Sequence, residues 1–406
     1  MGAASSITAP APAPGGNGAS ADATPEAPAP AEDEDWSWRR VELGRYDVAG
    51  VDVLGVGAHC VVRRATDAAT RTSVALKEYR GPGAAARLAR EVAVMARLAA
   101  GAPWFAAALD HSRTAAGAPG ADPATGRSLV ALELSELALD DVARRGPSPP
   151  GRVAAAARDV GAALGHMHAL GLVHGDVKPA NVVRVRGAWR VIDVDDALDA
   201  AAPAECNGFF TELYAAPEVA RAAAAEAALV AAPAWDVWSL GATAIELLLG
   251  EPPLLRAIED RGGAFLGWLG GLDQAAVDAW LAARVADGPL ADLLRRACAV
   301  DAAARSPAAA LAAAAAAVAV DEGDDAFGAP APSADIVLTS GVDASTPQRA
   351  SAFSLYREDA LPALLAGGLD RKAATKQCAK DFARLKKADP EQAASYARRA
   401  ADLNMT

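Results

Sequence analysis

Apolar and polar positions alternate with a period of two over the first part of the chain and change to a helical period afterwards. The run Tyr46-Asp-Val-Ala-Gly-Val-Asp-Val-Leu54, then a glycine turn, then Cys60-Val-Val and Ser73-Val-Ala-Leu-Lys77 predict an antiparallel sheet. Leu88, Val92, Met95 and Leu98 recur at helical spacing, so a helix is expected over Ala84 to Leu98. More strand is expected near Phe105 and at Ser128 to Leu134, on either side of a Gly/Pro/Asp loop from Gly117 to Gly126. From Asp140 onward helices dominate, including Arg152 to Leu170 and Trp235 to Leu249. Strands first and helices after is an α+β order.

The flanks read differently. Residues 1–35 are almost all Ala, Pro, Gly, Ser and acidic residues, which bury too little apolar surface to offset chain entropy, so a disordered leader is predicted. An acidic linker with Pro, Gly and Ser follows the helical region at 322–346, and a basic helical tail at 347–404 closes the chain. No internal repeat is visible.

Composition changes this picture in three ways. At 406 residues the chain is too long for one ordinary domain, so two or three units are expected. The apolar fraction is 52% but aromatics are only 5%, so the excess is alanine, which raises hydropathy without filling a core. The apolar run Ala308 to Val320 falls short of the roughly 20 residues that span a bilayer, and no secretory leader pattern opens the chain. An intracellular protein, cytoplasmic and/or nuclear, without a transmembrane segment is expected. Cys60, Cys206, Cys298 and Cys378 are scattered without metal-type or disulfide-type clustering and are expected to be free thiols. The net charge of −12 argues against polyanion binding by global charge, although the tail from Thr346 carries 11 Lys/Arg against 7 Asp/Glu.

Candidate chemistry is concentrated in Leu172-Val-His-Gly-Asp176-Val-Lys178-Pro-Ala-Asn181, followed by Ile192-Asp193. Asp176 can orient and deprotonate an attacking hydroxyl, Lys178 can neutralise charge on a transferring phosphoryl group, and Asn181 with Asp193 can hold Mg²⁺. This order resembles the catalytic loop and magnesium-binding element of eukaryotic-type protein kinases. The resemblance covers about residues 46–320. It implies a two-lobed kinase fold over 46–321, with an N-lobe at about 46–134 and a C-lobe at about 135–321, using ATP and Mg²⁺ on protein substrates.

Further residues match in the family's order. Gly55-Val56-Gly57-Ala58-His59-Cys60-Val61-Val62 resembles the Gly-rich loop over the phosphates, with Cys60 at the third glycine. Val74-Ala75-Leu76-Lys77 resembles the strand that carries the phosphate-binding lysine, and Glu91 its ion-pair partner. By the same resemblance Leu132 is the gatekeeper and Glu133 to Ser135 the hinge that pairs with adenine. Thr211-Glu-Leu-Tyr-Ala-Ala-Pro-Glu218, Asp236-Val-Trp-Ser-Leu-Gly241 and Arg305 match elements with structural roles, Arg305 pairing with Glu218. Lys178 together with Thr211 resembles the Ser/Thr-specific branch.

Two departures bear on regulation. Gly175 replaces the arginine that usually precedes the catalytic aspartate, and Val194 to Phe210 contains no Ser, Thr or Tyr. Together they predict an activity independent of activation-loop phosphorylation. Asp193-Val194-Asp195 stands where Asp-Phe-Gly is expected, and with Cys60 it leaves open a weak or dead pseudokinase that acts as a scaffold. The tail from Pro347 through Ser351-Ala-Phe353, Tyr356 and Pro362, with Phe382 and Tyr396 farther on, resembles an HMG box, a minor-groove DNA-binding module. The alternatives are a helical extension packed on the kinase, or a chromatin tether as the main function. Met1-Gly2-Ala-Ala-Ser-Ser6 matches the N-myristoylation pattern with Gly2 as acceptor, which would give membrane association.

Overall fold

The computed structural model describes residues 40–318, apart from 49–51, 58, 100–102 and 206–209, together with residue 392. The leader with Gly2, the linker and the HMG-like segment at 347–404, residue 392 excepted, lie outside the described residues, as do Ala58, Cys206 and Cys378.

The N-terminal part is one antiparallel sheet with a single helix against it. Strands β1 (Arg40–Glu42), β2 (Tyr46–Val48), β3 (Val53–Val56), β4 (Cys60–Asp67), β5 (Ser73–Tyr79), β6 (Ala108–His111) and β7 (Ser128–Glu133) run in the order β1-β2-β4-β5-β7-β6, with β3 also on β4. Alternation decides the two faces. Tyr46, Val48, Ala65, Val74, Leu76, Leu129 and Ala131 form a small core on one face. Leu54, Cys60, Val62, Ala75, Tyr79, Val130 and Leu132 join the main core on the other. Phe105, expected in a strand, makes only a single parallel bridge to Val191, and the strand proper starts at Ala108.

Helix α1 (Ala84–Leu98) occupies the expected span. Its buried face is Leu88, Glu91, Val94, Met95 and Leu98, whereas Val92 is only partly buried. The reason is Glu91: a carboxylate occupies a core position, so the line read from apolar residues alone lies to one side of the true face.

The C-terminal part begins with β8 (Leu137–Ala138), α2 (Leu139–Arg144) and α3 (Pro150–Ala169). It continues through β9 (Leu172–Val173), β10 (Val182–Val185), β11 (Ala188–Val191), β12 (Leu198–Asp199), β13 (Pro203–Glu205), α4 (Pro217–Ala224), β14 (Ala228–Val230) and α5 (Pro233–Leu249). Helices α6 (Leu255–Arg261), α7 (Phe265–Gly270), α8 (Gln274–Ala282), α9 (Pro289–Ala297) and α10 (Ala308–Ala316) complete it. Both α3 and α5 open on a proline, residues earlier than expected, because a first-turn proline loses no helical hydrogen bond. The alanine-rich run is α10, and its small side chains let it lie directly on α3. A Cβ at Gly161 would sit 3.1 Å from the Ala308 carbonyl oxygen, and one at Gly165 only 3.0 Å from Ala309 Cβ. Among the described residues no helix is long and apolar enough to cross a membrane, and Cys60 and Cys298 are buried.

Candidate active site between the sheet and the helical region

Lys77 lies on β5 and Glu91 on α1, where the sheet packs against its one helix. The Lys77 Nζ donates to Glu91 Oε1 at 3.0 Å and to Asp193 Oδ1 at 2.9 Å, and lies 3.9 Å from Asp195 Oδ2. Tyr79, two residues along the same strand and hence on the same face, donates its hydroxyl to Glu91 Oε2. Burial alone would lower the Lys77 pKa, but Asp193 and Glu91 overcome it and hold the ammonium well above its ordinary value. Burial likewise disfavours ionised Asp193, yet Lys77 carries that carboxyl down to about 2. Asp195 goes the other way: burial, reinforced by the Asp193 and Glu91 carboxylates, raises it to about 8 against the pull of Lys77.

Asp193 has φ +63°, a left-handed conformation that costs a non-glycine residue roughly 1–2 kcal/mol. It is held there from both sides. Lys77 binds the carboxylate, and the β10–β11 hairpin, which pairs Val182 with Val191, extends one step through Ile192 N–H to the Asn181 carbonyl.

The catalytic loop rests on one carboxylate. Asp236, in the first turn of α5 and fully buried, accepts the backbone N–H groups of His174 and Gly175, each at 2.8 Å, and pairs with His168 Nε2 at 2.8 Å. Gly175 has φ +83°, so both N–H groups can turn to the same carboxylate without a Cβ clash. His174 takes the Asp176 N–H on Nδ1, so its Nε2 carries the proton that meets the Ile192 carbonyl. His168 and Tyr79 are contributors outside the motifs, although strand alternation would have found Tyr79.

Asp176 is thereby presented with both oxygens engaged. Lys178 Nζ donates to Oδ2 at 2.7 Å, and the Thr211 N–H donates to Oδ1 at 3.0 Å. Lys178 also donates to Thr211 Oγ1 at 2.9 Å, and Asn181 Nδ2 donates to the Asp176 carbonyl at 2.8 Å. Asp176, Lys178, Asn181 and Thr211 form one connected constellation, joined to Asp193 and Lys77 through the hairpin.

The glycine-rich segment is the β3–β4 hairpin. Gly55 pairs with Val62 across a register irregularity, Gly57 N–H closes on the Cys60 carbonyl at 2.8 Å, and Val56 and His59 are exposed. Cys60 turns its side chain into the core. Beneath the hairpin, Val62, Ala75 and Leu132 belong to the same buried cluster as Leu54 and Val183, two residues outside the motifs. In the hinge, Glu133 N–H is committed to the Ala107 carbonyl, and its carboxylate pairs with Arg190 and Arg186. Any pairing with adenine must use the other hinge groups. Ser135 Oγ is buried without a hydrogen-bond partner.

The structural residues meet as expected. Arg305 donates to both oxygens of Glu218 at 2.7 and 2.8 Å and stacks over Trp238. A separate cavity of about 530 Å³, lined by Trp238, Trp268 and Trp280 among others, shares no residue with the nucleotide or catalytic set.

The donor set fits a nucleotide-bound hard cation. Asn181 Oδ1 is completely buried and has no partner, and Asp193, held ionised by Lys77, is one residue past the Ile192 N–H that binds the Asn181 carbonyl. Among the described residues no three or more His, Cys, Asp and Glu side chains form an all-protein metal cage. An ion here would therefore complete its shell with water or phosphate oxygens, as Mg²⁺ commonly does.

A strand lysine clamped to a helix glutamate, a loop aspartate held over a helical platform and an Asn/Asp pair beside it define a phosphoryl-transfer fold of the kinase class. The protein kinase domain model matches residues 49–313, and the chain belongs to that family. It is similar to the serine/threonine-protein kinase PknB of Mycobacterium leprae, 31% identical over 223 residues, which are 52% of this chain and 33% of that one. It is also similar to the DNA damage-responsive serine/threonine-protein kinase RqkA of Deinococcus radiodurans, 30% identical over 229 residues, 52% of this chain and 31% of that one. A shorter match, 35% over 89 residues, is to the cytokinesis protein sepH of Aspergillus niger, covering 22% of this chain and 6% of that protein. The chain spans about a third of the length of the first two relatives.

Proposed function

We propose that the protein is a serine/threonine kinase that transfers the γ-phosphoryl group of ATP to a hydroxyl of a protein substrate. The observation that carries this reading is the Lys77 bridge to both Glu91 and Asp193, formed together with an Asp176 carboxylate anchored by Lys178 and Thr211. Asp176 takes the proton of the attacking Ser or Thr hydroxyl, whose oxygen bonds to the γ-phosphorus as the bond to the β–γ bridging oxygen breaks. Lys178 faces the charge of the transferring group, and Lys77 orients the nucleotide phosphates. Asn181 and Asp193 would hold Mg²⁺, which supplies charge neutralisation of the phosphates. Specificity for Ser/Thr is supported by the Lys178–Thr211 hydrogen bond and by the relatives' names. Purified full chain with radiolabelled ATP, Mg²⁺ and a protein acceptor tests it: wild type transfers, and Asp176→Asn does not. Equal labelling by the two would overturn the assignment.

The ties of α1 support the further reading that activity is independent of activation-loop phosphorylation. Helix α1 is tied directly to the segment after Asp193: Arg90 donates to the Ala197 carbonyl at 2.8 Å, Arg97 pairs with Asp199 at 2.9 Å, and Arg87 lies 3.8 Å from Asp196. Phosphatase treatment is expected to leave the rate within about twofold. A large loss mapped to a phosphosite in this segment would refute it. The scaffold reading is favoured by one observation, the third carboxylate near Lys77, and predicts nucleotide binding without transfer. For the tail, the basic excess after Thr346 supports DNA contact, tested by salt-dependent duplex binding of the full chain; Gly2→Ala fractionation tests membrane attachment.

A further inference from the structure

Asp195 occupies the position at which the family pattern has glycine, and its side chain turns into the site, where it is only 12% exposed. Three carboxylates then face one buried cation: Lys77 contacts Glu91 at 3.0 Å, Asp193 at 2.9 Å and Asp195 at 3.9 Å. Glu91 has a second donor in Tyr79. Asp193 and Asp195 share Lys77. Asn181, whose carbonyl takes the N–H of Ile192 next to Asp193, spends its carboxamide nitrogen on Asp176 and leaves Oδ1 fully buried with no partner. Two adjacent carboxylates and an orphan amide oxygen are hard donors, with more negative charge than one ammonium balances.

We propose that Asp195 is a third cation-binding oxygen donor beside Asn181 and Asp193, so that the protein takes up a divalent ion of the Mg²⁺ or Mn²⁺ class before the nucleotide arrives. The inference rests on the kinase reading, because it assigns Lys77 to the phosphates during turnover. When Lys77 turns to the phosphates, Asp193 and Asp195 lose the counter-charge they share, and a divalent ion restores it. An Asn/Asp pair depends on phosphate oxygens to complete its hold on the ion, whereas a second carboxylate lets the protein bind it with water alone filling the remaining positions. The rival role for Asp195 is a decoy that only competes with the phosphates for Lys77.

The two roles separate in nucleotide-free full-length protein titrated with Mn²⁺, with free Mn²⁺ read by electron paramagnetic resonance. Wild type is expected to bind one ion, and Asp195→Asn and Asp195→Gly to bind it about tenfold or more weakly. Asn preserves the side-chain volume, and a thermal melt checks the fold of each variant. Lys77→Met leaves the carboxylates and removes the competing ammonium, so it is expected to tighten Mn²⁺ binding. No nucleotide-free binding by wild type, or affinities within twofold across the Asp195 variants, overturns the proposal, as does unchanged or weaker binding by Lys77→Met. Phosphoryl transfer is measured in parallel: transfer with Asp195-independent Mn²⁺ binding removes the inference and keeps the kinase reading. Asp195-dependent binding without transfer supports the inference and removes the kinase reading.

Discussion

Two buried ion-pair systems in this protein are built on opposite principles. Around Arg305, all the guanidinium N–H groups are used: on Glu218 twice, and on the carbonyls of Ala299, Ala234 and Val300, with Trp238 against its face. Around Lys77, one ammonium serves three carboxylates, Asp193 sits at positive φ, and Asn181 Oδ1 has nothing to bind. Both are cut off from water, so the difference is not one of burial. A saturated cluster holds α4, α5 and the segment before α10 together and leaves no valence for a ligand. An unsaturated one stores desolvated oxygen donors and backbone strain that a phosphate and its cation can relieve.

Breaking the catalytic loop that adjoins the unsaturated cluster should cost chemistry far more than stability. Asp176→Asn keeps the side-chain volume, so thermal midpoints should stay within a few degrees while the transfer rate falls roughly 10³-fold, the range of a lost general base. Steady-state kinetics and a melt on the same sample check this. A comparable loss of both would mean that Asp176 is structural.

Breaking the saturated side should do the reverse. Arg305→Lys removes the bidentate geometry and strands part of the Glu218 carboxylate and three carbonyls, for a loss of about 3 kcal/mol in urea unfolding. Nucleotide affinity of the folded fraction should be unchanged.

A further buried carboxylate sharpens the contrast through pH. Burial raises Glu246 from 4.5 to about 7, even though the Tyr214 hydroxyl, 2.6 Å away, favours its ionised form. Because the folded state holds this proton more tightly than the unfolded chain, stability is full below the unfolded value and falls as pH rises from about 4.5 to about 7. Glu246→Gln carries no such titration. Its stability relative to wild type should rise by at most roughly 3 kcal/mol across that window, read as the pH dependence of the urea midpoint.

The smallest effect is expected at the exposed ties of α1. Arg97 and Asp199 are both largely solvated, so Asp199→Ala should change stability by less than about 1 kcal/mol and leave the rate within twofold. A larger drop in rate would show that this pair, and not the buried Lys77–Glu91–Tyr79 cluster, holds α1 in place.

Much of the catalytic set was readable in the chain because each motif is local. His174 through Asn181 is a single loop, Lys77 ends a strand pattern, and Ala84–Leu98 has a helical period strong enough to set both ends of α1. What escaped was whatever crosses between motifs or runs against an apolar pattern. Glu91 displaced the expected core line of α1, and Phe105 had strand composition but no neighbouring strand in register.

The sequence by itself determined the order of the elements and the candidate reacting groups, because spacing along one strand, helix or loop places them without reference to the rest of the molecule. Only the tertiary structure decided how the charges balance. Lys77 meets Asp193 across 116 positions, Asp236 reaches back 61 and 62 positions to the Gly175 and His174 amides, and Arg305 reaches 87 positions to Glu218. Electrostatic balance depends on distance in space and on the exclusion of water, and neither has a period that the sequence can display.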